Sequence, residues 1–311
     1  MRRLSLLLTV IPLALIATCG TCFSQDKEPP DVIKINTDLV VFDAQVVDKK
    51  TKRVIDDLTR EDFEITDSGV RQQVSYLSRD ELPLSIILLL DVSGSVRPFI
   101  HGIRDGALDA LQHLKANDQV AVMAFATSSQ LVQDFTKDRR MVAEKIKAAT
   151  GSDRLGVGTV LAPALDDAAL KMFTVPQTSR CVIIVITDNL MLTSEAQKKK
   201  ILQDLFDSGS VVYGLIVNGS VFAYGGVRGV DQYAKQTGGE IVNAGEKSVA
   251  TKLALVIDHL RSRYTIGFRP TNTIEDGRFR PVEVTISPGQ NRDERKVVIT
   301  KRGYYFRRRS N

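Results

Sequence analysis

A chain of 311 residues has room for two domains at roughly 150 residues each. Its 43% hydrophobic and 25% charged residues exclude a disordered, fibrous or many-helix membrane protein. The net charge of +5, which falls to +3 once Arg2 and Arg3 are removed, is too mild for a nucleic-acid binder.

Residues 1–24 have the build of a secretory signal peptide: a basic start at Arg2 and Arg3, an apolar centre, and small residues around Cys22 and Ser24, where cleavage is expected. The apolar centre is too short and Pro-interrupted to span a membrane. "LIATC" is similar to a lipobox at Cys19, although Thr18 is unusual there, so lipoprotein anchoring is the lesser alternative. Cleavage at Ser24 removes Cys19 and Cys22, leaving Cys181 inside "CVIIVITD" as an inert buried thiol. An exported chain with one cysteine has no internal disulfide, so its stability must come from core burial.

Residues 25–34 read as a polar, Pro-bearing linker. Residues 35–80 read as β: "LVVFDAQVVD" alternates with Val40, Phe42, Ala44 and Val46 on one face, and Asp67-Ser68-Gly69 forms the bend of a hairpin. From 83 to 263 strands alternate with helices. "LSIILLLD", "QVAVMAFAT", "CVIIVITD" and "SVVYGLIVN" are apolar on both faces, as a helix-covered parallel sheet requires. One helix carries Ile100, Ile103, Ala107, Leu111 and Leu114 on a single stripe. A second opens on the capping pattern Ser194 to Gln197 and buries Ile201, Leu202 and Leu205, and a last one carries Val249, Leu253, Val256 and Leu260. The expected fold is a doubly wound α/β domain with helices on both faces of a mostly parallel sheet. Residues 264–306 return to β alternation, with Tyr264, Ile266 and Phe268 on one face and Val282, Val284 and Ile286 on another. The two β flanks are expected to pair into one sandwich-like domain with the α/β unit inserted between them; two independent β modules are the alternative. Residues 307–311 form a basic tail.

The chemistry sits at the strand tips. In open α/β sheets ligands bind beyond the carboxyl ends of strands where the strand order reverses. Asp91 ends the first α/β strand, Ser93 and Ser95 follow it, Asp188 ends a later strand, and Thr159 closes the Gly-rich loop of "GSDRLGVGTVLAPALDDAAL". If the two Asp-bearing strands are neighbours, Asp91, Ser93, Ser95, Thr159 and Asp188 converge. Such an all-oxygen set suits Mg²⁺ or Mn²⁺ and disfavours zinc or copper. Two carboxylates balance a divalent charge, and neutral hydroxyls leave the ion seeking one more anionic ligand.

Asp91-Val-Ser93-Gly-Ser95, Thr159 and Thr187-Asp188 resemble the metal-ion-dependent adhesion site of von Willebrand factor type A domains, as in integrin I domains. The mature chain further resembles the exported bacterial VWFA-related acidobacterial family in "DLTREDFEITDSGV", "YTIGFRPTN" and "KRGYY". The resemblance implies that Ser93, Ser95 and Thr159 bind the ion directly, that Asp91 and Asp188 act directly or through water, and that a protein partner completes the shell with an Asp or Glu carboxylate. Asn189 departs from the commoner Gly after the second Asp. Read without the resemblance, these residues are turn formers and helix caps, with Ser95 capping the helix that contains Pro98 in its first turn.

Enzyme chemistry finds little support. His101, His113 and His259 all fall on amphipathic helical stretches, "DVSGS" is not a hydrolase nucleophile elbow, and "GVGT" is no nucleotide fingerprint. The expectation is a non-enzymatic, exported adhesion or interaction module. The alternatives are an envelope assembly component in which the metal only stabilises the fold, and a hydrolase using the ion as a Lewis acid. Neither the partner nor the oligomeric state is legible in the residues.

Overall fold

The computed structural model describes residues 39–306 except 52, 80–81, 153, 157, 177, 189–193, 218–228 and 288–295. The expected signal peptide, linker and basic tail, and Asn189, lie outside the described residues.

The chain opens on β1 (Val40–Asp48), β2 (Phe63–Asp67), β3 (Val70–Gln72) and β4 (Val74–Ser78). Alternation in β1 sends Phe42, Ala44 and Val46 inward. The β2–β3 bend holds Ser68 at φ 52° and Gly69 at φ 83°, the paired left-handed geometry of a two-residue hairpin turn. The α/β unit then runs β5 (Leu84–Asp91), α1 (Ile100–Ala110), β6 (Gln119–Phe125), β7 (Ser129–Thr136), α2 (Arg139–Thr150), α3 (Leu161–Met172), β8 (Arg180–Thr187), α4 (Glu195–Asp207), β9 (Val211–Val217), α5 (Asp231–Thr237), β10 (Ile241–Ala244) and α6 (Val249–Arg261). Four strands close the chain: β11 (Tyr264–Phe268), β12 (Phe279–Ile286), β13 (Lys296–Thr300) and β14 (Gly303–Tyr305).

Six strands of the α/β unit form one sheet in the order β10-β9-β8-β5-β6-β7, parallel except for β7. Alternation in β5 splits its side chains between two cores. Ile86, Leu88 and Leu90 meet α1, α2 and α6 on one face, while Ile87 and Leu89 meet α3, α4 and α5 on the other. Each fully buried Leu or Ile contributes roughly 1.5–3 kcal/mol relative to exposure, so β5 is fixed on both sides.

Two expectations are corrected in detail, and one strand escaped the sequence reading. The first helix ends at Ala110 and continues only as a 3₁₀ turn, Leu111–His113, so Leu114 lies beyond it. β7 ("SQLVQDFT") escapes the apolar-run signal because it is a polar antiparallel edge strand. Ser95 caps no helix: it lies inside the 3₁₀ turn Gly94–Phe99, and the N-cap of α1 is Phe99.

Strands of both β flanks share two further four-stranded sheets, β13-β1-β11-β4 and β14-β12-β2-β3. Between them Phe42, Ile65, Tyr264, Ile266, Phe268, Val282, Val284 and Tyr304 form one core, with the Phe42 and Phe268 rings stacked 5.9 Å apart. The α/β unit leaves from β4 and returns into β11, which are paired neighbours: Ser78 lies opposite Thr265. Arg180, the first residue of β8, ties the two parts. It donates to Leu260 O at 2.8 Å and Arg263 O at 3.0 Å, and its Nε lies 3.3 Å from Asp43 of β1. That seam is at the opposite end of β8 from Asp188, eight residues or about 26 Å away at the ~3.3 Å rise of a strand.

Candidate metal centre at the sheet's switch point

The chain passes from β5 to β6 on one side and returns through α3 to β8 on the other, so the strand order reverses at β5. β5 and β8 are direct neighbours, paired from Leu84↔Arg180 to Leu90↔Ile186. That register sets Thr187 beside Asp91, one step further along. The conditional juxtaposition of the two Asp-bearing strands therefore holds.

Asp91 is fully buried, and both of its carboxylate oxygens accept hydrogen bonds. The Ser93 backbone N–H donates to Oδ1 at 2.9 Å and the Thr187 hydroxyl donates to Oδ2 at 2.7 Å. No cationic side chain among the described residues pairs with Asp91. Burial is the largest influence on its carboxyl and pushes its pKa up to about 6; the nearby Asp188 charge adds to this, and the bonds from Ser93 and Thr187 oppose it. Asp188, half-buried, thus lies within electrostatic reach of Asp91. Ser93 Oγ and Ser95 Oγ are 3.2 Å apart, Ser93 buried and Ser95 exposed. Ser93 starts the 3₁₀ turn without a side-chain capping bond, so helix capping does not explain the two hydroxyls.

Thr159 is brought to the same edge through the end of β6. The Val92 N–H donates to Phe125 O at 2.9 Å, and the Val160 N–H donates to Ala126 O at 2.8 Å. The residue after Asp91 and the residue after Thr159 are thereby bonded to consecutive carbonyls, whose Cα atoms are about 3.8 Å apart. Beneath them Val92, Ala124 and Ala126 form a small apolar floor against which Leu155 packs. Sequence reasoning missed Thr187 as a partner of Asp91; its place before Asp188 was visible, but its bond depends on the β5–β8 register.

No group of three His, Cys, Asp or Glu side chains is arranged to hold a metal among the described residues. A cation here rests on two carboxylates and three hydroxyls. The donor chemistry fits a hard divalent ion: all donors are oxygen, and Asp91 is a buried acid with no counter-charge among the described residues. Other acids are engaged elsewhere. Asp166 meets Lys200 and Asp167 meets Ser129, so these adjacent carboxylates diverge. Cys181 is buried, its thiol pushed up to about 11 chiefly by burial, which makes it a poor nucleophile.

Residues 86–190 match the family model of the von Willebrand factor type A domain. No curated protein matches the chain. Among solved structures, an aerotolerance-related membrane protein from Bacteroides fragilis NCTC 9343 is 19% identical, with 56% of this chain and 98% of that one covered and a TM-score of 0.45. BatB from Bacteroides thetaiotaomicron is also 19% identical, covering 57% and 98% at a TM-score of 0.46. Proximal thread matrix protein 1 of the mussel byssus, with a zinc-occupied MIDAS motif, is 15% identical, covering 58% and 48% at 0.45. Likeness of that extent fixes no function. The family match, the sheet order and the residues at the switch point agree: the α/β unit has a fold like that of a von Willebrand factor type A domain, and residues 86–190 within it match that family's model.

Proposed function

We propose that the chain is an exported, metal-ion-dependent interaction module: Asp91, Ser93, Ser95, Thr159 and Asp188 hold Mg²⁺ or Mn²⁺, and the ion takes an Asp or Glu carboxylate from a protein partner. The observation that carries this reading is Asp91, a buried carboxylate with no cationic partner among the described residues, next to Asp188 and to two hydroxyls that make no capping bond. A bound divalent ion supplies an electrophilic centre for an anionic oxygen. The chain's own groups do the rest. Ser93 N–H and Thr187 Oγ1 fix the Asp91 carboxylate plane, and the Val92 and Val160 bonds set two site-bearing loops side by side. Export rests on the leader-like residues 1–24, and a non-catalytic role on the histidines: His101 and His113 are exposed, and His259 faces Glu240 at 3.3 Å.

The raised Asp91 carboxyl also favours a second reading, in which the ion only relieves a buried charge and the chain is an envelope assembly component. Calorimetric titration with MnCl₂ and MgCl₂, followed by capture from envelope extract with and without EDTA, separates the two. Uptake by the native protein, lost in Asp91→Ala, with EDTA-sensitive capture of a partner, is the expected result. Uptake with capture indifferent to EDTA leaves only the stabilising role, and absence of uptake ends both.

A further inference from the structure

We infer that Thr127, which lies outside the five-residue oxygen set, is the positioning residue that fixes Thr159 at the site. The inference rests on the metal-site reading for its consequence, and on geometry alone for its cause.

Thr127 is exposed at the turn between β6 and β7, where a solvated threonine ordinarily has no structural task. Here it holds the Gly-rich loop at two points. Its backbone N–H donates to Leu155 O at 2.9 Å, and its Oγ1 accepts the Gly158 N–H at 3.1 Å. With the Val160 N–H on Ala126 O, three bonds span the six residues before α3, and Thr159 lies between the last two. The loop's composition matches this contact. A Cβ on Gly156 would meet Thr127 Oγ1 at 2.6 Å, and one on Gly158 would meet the same oxygen at 3.1 Å. Gly156 also has φ 86°, which L side chains rarely adopt. The two glycines therefore let the loop backbone close onto one hydroxyl, and that hydroxyl takes the N–H immediately before Thr159.

The chemistry asks for such a device. Four residues of the oxygen set ride on the ends of β5 and β8 or the turn after β5, but Thr159 sits on a loop whose residues 154–156 are exposed or half-buried. Its own order must come from bonds made by a neighbouring element, and Thr127 supplies the only side-chain bond to the Gly158 amide among the described residues. Groups that orient metal ligands in this way commonly change metal affinity about 10–100-fold when removed.

Thr127→Val keeps the branched shape and removes the hydroxyl; Thr127→Ser keeps the hydroxyl; Gly158→Ala presses on the hydroxyl from the loop side. The full chain of each is compared by amide exchange of residues 155–160 without metal and by Mn²⁺ titration read by electron paramagnetic resonance. The expected result is about tenfold or faster exchange at Gly158 and about tenfold or weaker Mn²⁺ uptake in Thr127→Val and Gly158→Ala, an unchanged melting temperature for Thr127→Val, and native behaviour in Thr127→Ser. Unchanged exchange in Thr127→Val overturns the anchoring. Faster exchange with native Mn²⁺ affinity overturns the positioning role while leaving the metal site standing. A native protein that takes up no Mn²⁺ removes the metal reading and with it the positioning of a ligand, and exchange then decides separately whether Thr127 orders the loop.

Discussion

A carboxylate buried without a counter-charge is an electrostatic cost, and at Asp91 its sign and pH range follow from the environment. The folded-state pKa is raised from 3.8 to about 6, so the native state binds the proton more tightly than the unfolded chain. Below about pH 4 both states are protonated and the cost is absent; it grows as pH rises through 6 and is complete above. At full ionisation the shift corresponds to about 3 kcal/mol. Asp91→Asn, which keeps the shape and removes the charge, should stabilise the metal-free protein by up to about 3 kcal/mol at pH 8, with the gain shrinking toward zero as pH falls to 4. Urea denaturation in EDTA at both pH values measures this, and an offset equal at the two values overturns it. By the same linkage, divalent-ion affinity of the native protein should fall as pH drops below about 6, because the ion must displace a proton from Asp91. The site was legible at this scale because its residues obey a rule of position: Asp91 and Asp188 end apolar runs, and apolar runs here are strands. Thr127 and Thr187 carried no such mark. Their partners are set by how the Gly-rich loop docks on β6 and by the register of β8 on β5, and both are tertiary facts.

Elements show the same division between what a local pattern fixes and what packing decides. β5, β6, β8 and β9 were readable because strands buried on both faces must be continuously apolar. β7 was not, because only one edge of it is paired and its composition is polar. In α1 the apolar stripe announced the helix, yet its closest contact is made by a residue with no side chain. A Cβ on Gly106 would meet Val249 Cγ1 at 2.5 Å and the Ala250 backbone N at 2.9 Å, so α1 and α6 touch through this glycine. Helix propensity alone favours Gly→Ala by roughly 0.5–1 kcal/mol. Here overpacking against a backbone should reverse the sign, and Gly106→Ala should cost about 1–3 kcal/mol. Chemical denaturation decides it: a stabilised variant means that α6 yields easily and that the contact is slack.

At the scale of the whole molecule, the β flanks are two pieces of sequence and one core. Each piece holds four strands, yet neither forms a sheet of its own: both four-stranded sheets draw on both pieces. The α/β unit occupies the position of a hairpin loop, since β4 and β11 are antiparallel neighbours with Ser78 opposite Thr265. A loop, however large, adds closure entropy only slowly with its length, so the sandwich should survive exchange of its loop. Joining Arg79 to Tyr264 through Asn-Gly, a favoured two-residue hairpin turn, should give a folded β protein with the Phe42–Phe268 core intact. The cut is polar at Asp43, Gln45 and Thr265, whose side chains gain water when the α/β unit is gone, and apolar where Phe279 and Tyr305 lose the Phe206 ring of α4. Conversely, residues 83–263 should fold alone and bind Mn²⁺ as the full chain does, since the switch point lies about 26 Å from the Arg180 bonds at ~3.3 Å per strand residue. Circular dichroism and a cooperative melt test the first half, and titration of the excised unit tests the second. A sandwich that stays unfolded while the α/β unit folds would mean that the Arg180 bonds to Leu260 and Arg263, with Asp43 beside them, stabilise the β flanks rather than merely join the two parts.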